Sequence, residues 1–183
     1  MKVTAIIPTR GDVPLGRIAD RLREYPEIQE IRFVIGSTPL NRYKTILEIP
    51  GTGDEIYYTQ DDDCLTNIGP LLDAYNPAVI TNAMTPEHAK RYEGHQTLIG
   101  FGAVFSRELV RHAFHDFPWD RDDVFFRESD RIFPTVNPHN TVYPLIEILP
   151  WANAENRLWK QPDHLAARDE MNRRIFMTTG VVA

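Results

Sequence analysis

Short runs of mostly apolar positions alternate along this chain with runs in which apolar residues recur every three or four positions. Lys2–Ile7 is a run of the first kind, read as a buried strand closed by Pro8. Arg17–Tyr25 is of the second kind, a helix with Ile18 and Leu22 on one face. The same alternation predicts strands at Ile31–Ile35, Glu55–Thr59 and Ala78–Thr81. Between them it predicts helices at Asn41–Ile49, with Tyr43, Ile46 and Leu47 spaced for burial, and at Leu71–Tyr75. Further on, Thr97–Ser106 reads as a glycine-interrupted strand running into a helix at Glu108–Phe114. Asp122–Phe133 reads as one helix. Thr141–Leu149 reads as a strand in which Pro144 marks an edge or a bulge. The final helix is expected over Asp163–Met177, with Leu165, Met171 and Phe176 available to pack inward.

Alternating strands and helices predict an α/β fold with a largely parallel sheet in the N-terminal half. The 183 residues suit one domain, and neither a repeat nor a linker interrupts them. In open α/β sheets ligands gather at the carboxyl ends of the strands. That rule puts Pro8-Thr9-Arg10, Gly36-Ser37-Thr38 and Asp61-Asp62-Asp63 on one rim.

Composition narrows the setting. The net charge of -6 opposes general attraction to a phosphate backbone, although Arg157, Lys160, Arg168, Arg173 and Arg174 bias the C-terminal quarter toward positive charge. The single cysteine, Cys64, cannot form an internal disulfide. No run approaches the ~20 apolar residues of a membrane span, and the N-terminus lacks the long apolar core of a secretory signal. The expected location is cytoplasmic.

Asp61-Asp62-Asp63 is the most informative motif. Three adjacent carboxylates repel one another, so in a partly buried loop they call for a cation or for hydrogen-bond donors. Mg²⁺ or Mn²⁺ takes one or two carboxylates together with phosphate oxygens. The bland reading is a solvated acidic turn. Arg10, after the first strand, could meet a base, a phosphate or a carboxylate, or stand on the surface. Asn41 and Arg42 open a helix, where a donor phosphate or ribose would be favoured. Their alternative is a simple capping segment. Glu128 and Asp130 would point about 200° apart on one continuous helix, so only one of them could face a site. Arg127 and Arg131 then serve as salt-bridge partners. His164 and Arg168 lie four apart on a helix and share a face. Imidazole can bind a metal and guanidinium a phosphate. His88, His95, His112, His115 and His139 show no paired spacing and read as ordinary polar residues.

Several of these segments, taken in order, resemble the catalytic domain of the exostosin family of glycosyltransferases. LNRYKTI (40–46) is similar to a donor-side segment of the family. YTQDDDC (58–64) is similar to its strand and metal-binding DxD motif. IGFGAVFSRELV (99–110) is similar to its glycine-containing strand and following helix, RESDRIF (127–133) to its acidic acceptor-side segment, and HLAARDEMNRRIF (164–176) to a C-terminal His-x-x-x-Arg segment. The resemblance implies a single Rossmann-like nucleotide-diphospho-sugar transferase domain of the A type (GT-A) over 1–183, with a central mixed, mostly parallel sheet. Residues 1–82 would form the nucleotide-sugar half, and 83–183 the acceptor side and C-terminal helix. It implies a hexosyl- or N-acetylhexosaminyl-type enzyme with Mn²⁺ or Mg²⁺ and a UDP-sugar donor. Asp61, Asp63 and His164 would hold the metal. Pro8, Thr9, Arg10, Asn41, Arg42, Asp61, Asp62 and Arg168 would hold the donor. Asp130, Glu128 and Arg168 would act in catalysis. Exostosin proteins are larger, membrane-anchored and disulfide-bearing, so their heparan acceptor does not carry over.

Two other functions fit parts of the pattern. A nucleotidyltransferase making a nucleotide sugar also needs metal-binding carboxylates, but PTRGDVPLGR lacks a dense glycine run. A non-enzymatic carbohydrate-binding or assembly module could use an acidic loop, but DDD lacks the distributed ligands of a calcium loop. The acceptor is open among a glycan, a lipid-linked sugar, a small molecule and a modified nucleobase.

Overall fold

The computed structural model describes residues 1–36, 38–92, 99–155, 157 and 160–181. Its strands are β1 (Val3–Thr9), β2 (Ile28–Ile35), β3 (Ile56–Thr59), β4 (Cys64–Thr66), β5 (Ile80–Ala83), β6 (Ala103–Ser106), β7 (His139–Val142) and β8 (Ile146–Ile148). Its helices are α1 (Gly16–Arg23), α2 (Leu40–Glu48), α3 (Gly69–Asp73), α4 (Pro86–Tyr92), α5 (Arg107–His115), α6 (Asp123–Arg127), α7 (Ser129–Val136) and α8 (His164–Thr179). A 3₁₀ turn covers Pro150–Asn153.

Six strands form one sheet in the order β2-β1-β3-β6-β5-β7. Pairs β1/β2, β1/β3 and β5/β7 are parallel, whereas β6 runs antiparallel to both β3 and β5. The sheet is therefore mixed and mostly parallel. Both faces are covered, and period-two alternation sorts residues between them. Ile6, Tyr57 and Phe105 point to a core shared with Tyr43 and Ile46 of α2, Phe114 of α5, Phe133 of α7 and Met171 of α8. Ala5, Ile7, Tyr58 and Val104 point to the other, shared with Ile18 and Leu22 of α1 and Leu71 of α3.

Four departures from the sequence pattern shape the site. The stretch Asp122–Phe133 is two helices. The Asp122 carboxylate caps α6 by accepting from the Phe125 N–H at 3.1 Å, and Glu128 leaves the helical region with φ -107° and ψ 19° before α7 begins. The stretch Thr141–Leu149 is also divided. β7 joins the main sheet, the chain breaks around Pro144, and β8 pairs with β4 in a separate two-stranded sheet. In Thr97–Ser106 only Ala103–Ser106 is a strand, and residues 97 and 98 lie outside the described set. On α8 the inward residues are His164, Ala167, Met171 and Ile175, while Leu165 and Phe176 are exposed. Helix α4 and strand β4 had no clear signal in the pattern.

Candidate active site

The DDD loop is held by its backbone before its side chains do anything. β3 ends at Thr59, and the buried Gln60 turns the chain toward β4. Gln60 Nε2 donates to the Cys64 carbonyl at 2.6 Å, and its Oε1 accepts from Tyr58 OH at 2.6 Å. Asp61 N–H donates to the Gly100 carbonyl at 2.7 Å. Trp151 Nε1 donates to the Asp62 carbonyl at 2.7 Å, and Leu149 N–H to the Asp63 carbonyl at 2.8 Å. The small β4/β8 sheet and the 3₁₀ turn thus fix the loop from behind. Gly100 stands so close that a Cβ there would lie 2.3 Å from Asp61 Oδ2.

Fixed this way, the three carboxylates meet different surroundings. Asp62 is buried and accepts from Arg157 Nη1 at 2.7 Å. Asp61 remains partly exposed and pairs with Arg42 from below. Asp63 has no side-chain hydrogen bond or ion pair among the described residues. Burial, and then the neighbouring Asp61, push its carboxyl up to about 7, against a smaller opposing pull from Arg157. Negative charge is therefore undercompensated at this point.

A cavity of about 720 Å³ opens over the loop. It is lined by Pro8, Thr9 and Arg10 from the end of β1, by Gly36 and Thr38 after β2, and by Asp61, Asp62 and Asp63 after β3. The three expected rim segments therefore converge, with Ser37 outside the described residues. On the far side Glu128, Asp130, His164 and Arg168 line the same cavity. The break at Glu128 makes this possible, because two residues that would diverge on one helix here belong to different turns of backbone. Burial raises the Glu128 carboxyl above its ordinary range, and Arg168 partly offsets this. His164 Nδ1 stands 3.4 Å from Glu128 Oε1, and Arg168 Nε stands 3.7 Å from Glu128 Oε2. These separations exceed good hydrogen-bond lengths, and among the described residues Glu128 Oε1, His164 Nδ1 and Arg168 Nε have no hydrogen-bond partner. Burial, and then the nearby Arg168, lower the proton affinity of His164, which favours the neutral ring.

Asn41 and Arg42 do not line the cavity. Asn41 packs on Gly36, where a Cβ would lie 1.6 Å from its Nδ2. Arg42 is buried beneath the floor, with its guanidinium between Asp61 and Asp130. Burial opposes its charge, but Asp130 and then Asp61 outweigh that effect and keep it protonated. Asp130 is held on its other oxygen by Tyr43 OH at 2.7 Å. Burial raises its carboxyl, and Arg42 pulls it back. Asp61, Asp63 and His164 line one cavity but do not assemble as a cluster. Among the described residues no group of three or more His, Cys, Asp and Glu side chains could hold a metal ion.

Other cavity residues carried no site signal in the sequence. Arg157 stood only in a basic stretch, and its pairing with Asp62 spans 95 positions. His88 lines the cavity beside Phe101, ring centroids 4.9 Å apart, although its spacing marked it as an ordinary polar residue. His95 lies outside the described residues. Arg127 was expected to pair with its acidic neighbours, and instead it binds Asp163 at 2.6 and 3.0 Å, tying α6 to the start of α8.

No family model and no curated protein matches the chain. Among solved structures it is similar to HddC from Yersinia pseudotuberculosis, at 11% identity and a TM-score of 0.43, over 93% of this chain and 78% of that one. At that score the likeness carries no argument about fold or function. No described helix is long and apolar enough to cross a membrane.

Proposed function

We propose that this protein is a metal-dependent glycosyltransferase that moves a sugar from a nucleotide-sugar donor, a UDP-sugar in our reading, to an acceptor. One observation carries the proposal. The carboxylate of Asp63, at the carboxyl end of β3 in an α/β sheet, is pushed up to about 7 by burial and by Asp61, at the floor of a large cavity. A site that concentrates negative charge it does not itself balance suits a divalent cation arriving with phosphate oxygens. Asp61 and Asp63 would hold Mn²⁺ or Mg²⁺, and two carboxylates suffice when the diphosphate completes the shell. Such an ion supplies positive charge to a departing nucleoside diphosphate.

The chain's own groups divide the remaining work. Pro8, Thr9 and Arg10 take the nucleotide end of the donor. Asp62, paired with Arg157, lies between the metal seat and the 3₁₀ turn and takes a donor hydroxyl. Arg168 faces the diphosphate from the opposite wall and offsets its charge as the glycosidic bond breaks. Asp130 has a raised proton affinity and is partly exposed, which suits proton exchange with an acceptor hydroxyl. Glu128 stands on the same wall, with its carboxylate 3.7 Å from the Arg168 guanidinium.

Incubation with UDP-sugars and Mn²⁺ tests the proposal. Slow release of UDP that requires Asp63 is the expected result. Chemistry that depends on pyrophosphate would make the protein a nucleotidyltransferase. Silence with every donor would make it a binding module.

A further inference from the structure

Arg42 is among the largest fully buried side chains of the described residues, and it does not line the cavity. One nitrogen, Nη2, serves both sides of the cavity floor. It pairs with Oδ1 of Asp61, which follows β3, and with Oδ2 of Asp130, which lies on α7, at 3.1 Å from the latter. The other nitrogen, Nη1, donates to Thr59 Oγ1 at 3.4 Å, and that hydroxyl donates to the Ile6 carbonyl at 2.6 Å. The guanidinium is thereby anchored to β1 and β3. Tyr43, the next residue on α2, fixes Oδ1 of Asp130. Two carboxylates from distant parts of the chain are thus held by one helix turn.

We propose that Arg42 is a positioning residue that fixes Asp61 and Asp130 relative to one another. It couples the metal seat to the carboxylate that handles the acceptor. The inference deepens the transferase reading and rests on it for the role of Asp130. A planar, permanently charged group can bridge two carboxylates and keep a third anchor, whereas an ammonium on a shorter stem cannot hold all three. Arg42 itself touches no substrate, so its removal acts only through the two acids.

The test uses Arg42→Lys, which keeps a buried cation and so protects the fold, with Tyr43→Phe as a second, milder variant. Turnover is measured in double-mutant cycles with Asp130→Asn. Arg42→Lys is expected to lower kcat about tenfold or more in the wild-type background and less than about threefold in Asp130→Asn. Tyr43→Phe should follow the same pattern with a smaller loss. A second cycle reads Mn²⁺ affinity by calorimetry, with Mn²⁺ titrated in the presence of UDP as the probe. There Arg42→Lys should weaken binding about fivefold or more, and should lose that effect in Asp61→Asn. Equal losses in both backgrounds, or a lower melting temperature with kcat and Mn²⁺ affinity within about twofold of wild type, would overturn the proposal and leave Arg42 structural. If the wild type binds Mn²⁺ but releases no UDP from any donor, the transferase reading fails alone, and the Mn²⁺ cycle still decides for or against Arg42. A wild type that binds no Mn²⁺ in the presence of UDP overturns both.

Discussion

Among the residues of the site, Asp63 has the most exposed consequence. Its folded proton affinity, about 7, lies above that of a free carboxyl, so between about pH 4 and 7 the folded state binds more protons than the unfolded chain. Stability from this group is therefore present at low pH and is lost as pH rises through that window. Melting curves of the metal-free protein at pH 5, 6 and 8 should show a fall that Asp63→Asn largely removes. A flat profile in the wild type would mean that the loop is solvated. Metal and proton compete for the same oxygen, so Mn²⁺ affinity should climb toward pH 7 and level off above it. Gly100 supplies a separate test of Asp61. The atom a Cβ would strike is the end of the Asp61 side chain, so Gly100→Ala should fold normally and push Asp61 off its place. Mn²⁺-dependent UDP binding should drop by about tenfold or more, or about 1.4 kcal/mol, while the melting temperature holds. Asp130→Asn keeps shape and loses charge. It should bind donor nearly as well as wild type and lose most of kcat, more than Glu128→Gln does. The reverse ranking would move the reacting carboxylate to Glu128.

At the scale of elements, the claim with most at stake concerns the start of α8. Its buried stripe is His164, Ala167, Met171 and Ile175, and at its first turn His164 lines the cavity together with Leu165 and Arg168. The helix therefore packs on α6 and α7 along that stripe and meets the cavity at its first turn. Removing Arg168 should lower kcat by about tenfold, because the charge it offsets develops as the bond breaks. His164→Ala should instead act through Glu128, which would lose a neighbour, and should cost less. If both variants keep kcat/KM within about twofold, α8 only packs on α6 and α7. The exposed Leu165 marks the same lip of the cavity, but its role in packing is nil.

For the whole molecule, the cavity joins the carboxyl ends of β1, β2 and β3 to α6, α7 and α8, so a ligand that fills it ties both halves of the chain together. UDP with Mn²⁺ at about 100 times its dissociation constant should add about 2.7 kcal/mol, which for a chain of this size is a rise of about 5–10 °C in melting temperature. The rise should vanish in Asp61→Ala and Asp63→Ala. The alternation of periods was enough to read an α/β chain and to place the acidic loop after a strand, because burial of alternate strand positions and of one helix stripe is a local demand that each segment records for itself. Residues such as Ile6 and Ile7, which point to opposite cores, carry that record in adjacent letters. The reversal of β6, the pairing of β4 with β8 and the break at Glu128 left no such mark. Each depends on partners far away in sequence. The same holds within the site. Adjacent carboxylates announced a charge that needed balancing, but the identity of the balancing groups did not follow from them. Arg42 and Arg157 reach the acids from 19 and 95 positions away, and only the folded chain brings them there. Sequence alone determined the alternation of strands and helices and the acidic loop, since those follow from local pattern and repulsion. Tertiary structure decided which carboxylate is clamped, which is buried in a pair and which is left undercompensated, because electrostatic energy depends on distance in space and not along the chain.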